Sequence, residues 1–124
     1  MKNLAVSLFL VLLVGCATLF SVTVTLTETV DSAAKEYVKL FKAGLVSSET
    51  DKKVEEAHLK YRQMVGVAVE ALKAYKASGD STQYNLAFAT AVNAASEFVR
   101  LLYPLFDAKK TSEIQGKMKK VSQL

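Results

Sequence analysis

Two rhythms of apolar residues divide this 124-residue chain. The first is a run without rhythm: Lys2 and Glu28 bracket a stretch, Asn3 to Thr27, that carries no charge. The second begins after Glu28, where apolar residues return every three or four positions, the spacing of one face of an α-helix. Val30, Ala33, Ala34, Tyr37, Val38 and Phe41 form one such stripe. Ahead of it, Thr25-Leu26-Thr27-Glu28 has capping-box spacing, in which hydroxyl and carboxylate satisfy free amides at a helix start. Gly44 stands where a left-handed residue would close that helix.

A second stripe comes after Ser47 and Ser48, either of which can cap it, with Glu49 and Asp51 favourably placed in the first turn. Val54, Tyr61, Ala68 and Tyr75 recur every seven residues, and Ala57, Met64 and Ala71 accompany the first three. This heptad spacing predicts packing against neighbours at a shallow crossing angle. Gly79 ends the segment, and Asp80 or Ser81 opens the third. There Tyr84, Phe88, Ala91, Ala95, Phe98, Leu102 and Leu105 alternate steps of four and three. Pro104 lacks an amide donor, so the helix should stop or kink near Leu101. Both connections are short, which makes successive helices antiparallel neighbours. The expected fold is all-α: an up-down-up three-helix antiparallel bundle over residues 25–106, preceded by an N-terminal signal or anchor segment.

The remaining eighteen residues, 107–124, carry five lysines against Asp107 and Glu113. Ile114, Met118 and Val121 make a thin apolar stripe that Gly116 interrupts. A basic stripe can rest on anionic lipid, but the expectation for so weak a pattern is a frayed, solvated tail. On the third helix, the face opposite Tyr84 and Phe88 carries Ala89, Val92, Asn93 and Ser96. Small neutral residues allow close approach, which offers a surface for self-association or a protein partner; the simpler expectation is that the neighbouring helices flank it.

Composition narrows the function classes. The formal charge of +4 is small, and Arg62 and Arg100 are the only arginines, so nothing predicts nucleic-acid binding. A single cysteine rules out an intramolecular disulfide framework and a cysteine-based zinc site. Glu55 and His58 have the Glu-x-x-His spacing of di-iron bundles, but that site needs two such motifs, and His58 is the only histidine. His58 is therefore expected at the edge of the apolar stripe. Tyr37, Tyr61, Tyr75 and Tyr84 fall on core faces, Glu70 and Glu97 on solvated ones. With no phosphate-binding glycine loop and no oriented nucleophile, neither a catalytic site nor a cofactor or metal site is expected.

The cysteine itself gives the one specific motif. Lys2 precedes an eleven-residue apolar segment, Leu4 to Val14, of signal-peptide length, and the chain continues Leu13-Val14-Gly15-Cys16. This resembles the lipobox of bacterial lipoproteins. The resemblance covers the first sixteen residues and implies cleavage after Gly15, with Leu13, Val14 and Gly15 recognised by the signal peptidase. It also implies that Cys16 becomes a lipidated N-terminus carrying diacylglycerol and a fatty acyl group such as palmitate. Several acyl chains hold a protein on a membrane where one would not. In lipoproteins of Gram-negative bacteria an Asp after the cysteine favours the inner membrane; Ala17 stands here, which implies the outer membrane, facing the periplasm. The chain thereby divides into a signal peptide at 1–15, a lipidated N-terminus and short apolar linker at 16–24, the bundle at 25–106 and a basic tail at 107–124. The implied function is that of a small, non-enzymatic structural or interaction protein of the cell envelope. One departure stands out: lipoproteins usually continue with a polar tether, whereas Ala17 to Val24 is apolar and β-branched. The other reading of the same residues is an uncleaved membrane helix from about Leu4 to Val24 in an accessory or lysis-type protein.

Overall fold

The computed structural model describes residues 2–123, with side chains described from Thr18 onward. It contains four helices: α1 (Lys2–Lys42), α2 (Ser48–Ser78), α3 (Thr82–Leu102) and, after a 3-10 turn at Tyr103–Leu105, α4 (Ala108–Gln123). Among the described residues there is no strand.

The helix ends reflect local chemistry. Ser47 caps α2, its hydroxyl oxygen accepting from the Thr50 amide at 3.1 Å, which satisfies one of the free donors of the first turn. Gly79 closes α2 at φ 76°, its amide donating to the Tyr75 carbonyl; that left-handed turn is cheap only for glycine. At the start of α3 Ser81 makes no capping bond. Asp80 takes that role, its carboxylate accepting from the Thr82 amide at 3.0 Å and the Thr82 hydroxyl at 2.7 Å. Pro104 sits inside the 3-10 turn that separates α3 from α4.

Pairs of contacts give the helix directions. Lys60 meets Glu97 at 3.3 Å, the His58 ring lies 5.0 Å from that of Phe98, and Leu72 and Tyr75 cluster with Tyr84. Residue numbers therefore fall along α2 as they rise along α3, and the two are antiparallel. Tyr37 bonds Asp51, while Leu19 packs beside Leu72 and Tyr75, so α1 is antiparallel to α2. Lys110 reaches Ser32 at 3.4 Å. One core joins all four helices. Leu26, Val30 and Ala33 contribute from α1, Val54 and Tyr61 from α2, Ala95, Phe98 and Leu102 from α3, and Ile114, Met118 and Val121 from α4.

Three expectations change. The bundle has a fourth helix where a frayed tail was expected. Ile114 and Val121 are almost fully enclosed and Met118 is buried, and Asp107 starts the helix by accepting from the Lys110 amide at 2.7 Å. An apolar stripe too thin to hold a helix alone is held by the groove it fills. The first helix does not begin at Thr25. Thr18 to Thr29 are already helical, and the hydroxyls of Thr25, Thr27 and Thr29 donate back to Ser21, Val24 and Thr25 carbonyls at 2.8–2.9 Å. A threonine whose hydroxyl is used this way is not a cap. Finally, Val38 and Phe41 are exposed. The first buried residue of α2 is Val54, so the last turns of α1 have little to pack against, and the Phe41 ring leans on Tyr37 at 6.4 Å.

Candidate functional site

Cys16 and the residues expected to direct its processing, Leu13, Val14 and Gly15, lie outside the described side chains. The first described turns of α1 already pack into the bundle. Val22 and Thr23 are 6% exposed and Leu26 is fully buried. The Thr23 hydroxyl donates to the Leu19 carbonyl at 2.8 Å and lies 2.6 Å from the Tyr84 hydroxyl, which is itself 3.1 Å from the same carbonyl. Tyr84 stacks on Phe88 at 5.6 Å, and burial pushes its phenol above the usual tyrosine range, with the Thr23 bond opposing. The segment Ala17 to Val24 is apolar because from Leu19 onward it packs into the bundle. It is not a tether.

This end of the molecule is assembled from the first described turns of α1, the last turns of α2 and the first turns of α3. The charges around it are uneven. Lys73 and Lys76 stand on α2, with Glu70 and Asp80 the nearby acids. On α4, Lys110 meets Ser32 and Val121 is buried in the main core, whereas α1 buries nothing beyond Tyr37; α4 therefore runs back along α1 and carries Lys117, Lys119 and Lys120 towards this end. Phe20 on α1 and Leu86 on α3 are exposed apolar residues of the same end.

A second feature lies further along, where α1, α2 and α3 border a groove of about 280 Å³ lined by Tyr37, Val38, Glu55, His58, Arg62 and Phe98 among others. His58 packs its ring between Tyr61 and Phe98, with centroids 6.1 and 5.0 Å away. Burial, then the Arg62 guanidinium, lower its pKa, with Asp31 opposing. The Tyr37 hydroxyl donates to Asp51; burial and that carboxylate raise its pKa. Tyr61 is buried and its hydroxyl has no partner among the described residues. Glu55 is exposed beside His58, and among the described residues no three acidic, histidine or cysteine side chains are grouped to hold a metal ion.

The four tyrosines expected on core faces, Tyr37, Tyr61, Tyr75 and Tyr84, are all buried. Glu70 and Glu97 are exposed, paired with Lys73 at 3.1 Å and Lys60 at 3.3 Å. On the far face of α3, Ala89 and Asn93 are exposed while Val92 and Ser96 are half-buried, Val92 against the main core. Among the described residues no helix is long and apolar enough to cross a membrane. Sequence pattern did not reveal the Thr23–Tyr84 contact; two hydroxyls on otherwise apolar faces, Thr23 in the uncharged run and Tyr84 opening the third stripe, were the available signal. No family model, no curated protein and no solved structure matches this chain.

Proposed function

We propose that this protein is a small lipid-anchored module of a bacterial envelope, a four-helix up-down bundle held at a membrane through acylated Cys16. In this reading it acts through binding rather than catalysis. One observation carries it: among the described side chains, bundle packing reaches back to Leu19, only three residues after Cys16. A helix from Leu4 to Val24 would have to withdraw Val22 and Thr23 from the core to span a bilayer. Without the residues that pack, Leu4 to Thr18 would reach about 22 Å as a helix, short of a hydrocarbon core of about 30 Å. Cleavage and acylation fit the same geometry without cost, because lipid on Cys16 places the bundle directly against the bilayer. Ala17 after the cysteine favours the outer membrane, with the bundle in the periplasm. The exposed residues Ala89 and Asn93 of α3 are the surface offered for self-association or a protein partner.

The test is the intact mass of the protein recovered from bacterial membranes, beside that of a Cys16→Ser variant. The expected mass lacks residues 1–15 and gains a diacylglycerol and an acyl chain, and the variant stays unprocessed. A mass that keeps residues 1–15 with an unmodified thiol overturns the anchor and leaves the retained-helix, membrane-spanning reading.

A further inference from the structure

The sequence carries ten cationic and ten acidic residues in the segments 28–62 and 90–113, which the antiparallel packing brings together as one end of the bundle. That end is neutral. The segments 18–27, 63–89 and 114–124 make up the opposite end, and they hold five lysines against Glu70 and Asp80 alone. All the net positive charge after Cys16 is therefore gathered at the end from which Cys16 departs.

We infer that this end is a docking surface for the headgroups of an anionic bilayer, contacted by Lys73 and Lys76 of α2 and by Lys117, Lys119 and Lys120 of α4. The inference rests on the anchored reading and adds to it what the protein rests upon. Its geometry comes from reach. Leu19 lies three residues from Cys16, at most about 11 Å of chain, and Tyr75 packs in the same cluster as Leu19. Lysine side chains extend further still, keeping the ammonium in the polar layer while the stem covers apolar surface. Lys73 and Lys76, next to that cluster, thus stand near a Debye length of about 8–10 Å, the distance over which a charged bilayer acts.

Three further features fit a lipid surface. Exposed Phe20 and Leu86, 57% and 68% accessible, add apolar side chains at the same end, as amphipathic surfaces at an interface do. The first turns of α3 present uncharged side chains, Thr82, Gln83 and Asn85, with the Asp80 carboxylate turned onto the Thr82 amide and hydroxyl. The pairing of these lysines is also weak. Lys73 meets Glu70 and Lys117 meets Glu113, both pairs largely exposed and of the kind that contributes little, while among the described residues Lys76, Lys119 and Lys120 take no ion pair.

The full chain, reconstituted into vesicles of phosphatidylcholine alone or with phosphatidylglycerol added, tests this by lysine acylation with a membrane-impermeant reagent read by peptide mass. Lys73, Lys76, Lys117, Lys119 and Lys120 should react about three- to five-fold more slowly on the anionic vesicles, and raised salt should remove the difference. Lys39, Lys42, Lys52 and Lys53, at the neutral end, should react alike on both. Equal reactivity of the five lysines on the two vesicle types overturns the proposal, and is the result expected if the true occupant is an acidic protein. A Lys117→Gln/Lys119→Gln/Lys120→Gln variant, altered only at exposed positions, should free Lys73 and Lys76 on anionic vesicles; their continued protection overturns a shared surface. The intact mass of the same samples separates the two readings. Protection with an unmodified Cys16 removes the anchor and keeps the surface, whereas acylated Cys16 without protection does the reverse.

Discussion

Thr23 and Tyr84, 61 positions apart, share a buried hydroxyl contact of 2.6 Å that ties the first described turns of α1 to the start of α3. Both hydroxyls also lie within bonding distance of the Leu19 carbonyl, at 2.8 and 3.1 Å, so the three oxygens share two protons and either hydroxyl can donate to the other. Both side chains are nearly sealed from water, Tyr84 at 1% exposure. Removing either partner loses this contact, while the remaining hydroxyl keeps its bond to the Leu19 carbonyl. Tyr84→Phe and Thr23→Val should each lower stability by about 1–2 kcal/mol. The double variant should cost clearly less than the two singles together, since each single already loses the one contact they share. Urea unfolding of the full chain in mild detergent, monitored by circular dichroism, measures the cycle. Additive losses would mean that the two hydroxyls do not act as a pair.

The fourth helix makes a second prediction. Ile114 is fully buried in the core that Leu26, Val30 and Leu102 share. Ile114→Ala should cost about 2–5 kcal/mol, the range for emptying a well-packed aliphatic site. Gln115→Ala, on the exposed side of the same helix, should stay within about 0.5 kcal/mol. A frayed tail would show no difference between the two in urea unfolding.

These two regions also mark how far residue pattern reaches. The stripes of α2 and α3 are long, and steps of three and four over twenty residues admit few other structures; Tyr61, Tyr75, Tyr84 and Phe98 are buried as that pattern requires. Ser47 and Gly79 are legible because each has one local conformation that suits it. The Thr25-x-x-Glu28 box is not, because a threonine hydroxyl can either cap a helix or bond back within one, and the stripe from Val30 onward suits both cases equally. Nor is α4, whose three apolar residues gain meaning only from the groove between α1 and α3. Of the candidate site, the run Leu13 to Cys16 is a resemblance that the sequence alone carries. The gathering of lysines 73, 76, 117, 119 and 120 at one end was not legible, since it depends on how α4 folds back along α1.

The groove at His58 supplies the last prediction, a dependence on pH. Its imidazole is packed between Tyr61 and Phe98 and faces Arg62, with Asp31 and Glu55 as the nearby acids. Burial first, and Arg62 second, hold its folded pKa below the usual value, against the opposing pull of Asp31. The unfolded chain therefore takes up the proton before the folded one does. Stability should be undiminished above a pH of about 6.5, the unfolded histidine value, and should fall as pH drops below it. Carboxylates add their own acid sensitivity at lower pH, so the histidine contribution is isolated by substitution. His58→Gln should flatten the stability curve between about pH 6.5 and 5 while leaving the loss at lower pH in place. Urea midpoints of the two proteins across that window decide it. A variant curve parallel to the parent's would mean that the His58 ring titrates as freely in the fold as in the open chain, and that neither burial against Phe98 nor the Arg62 charge governs it.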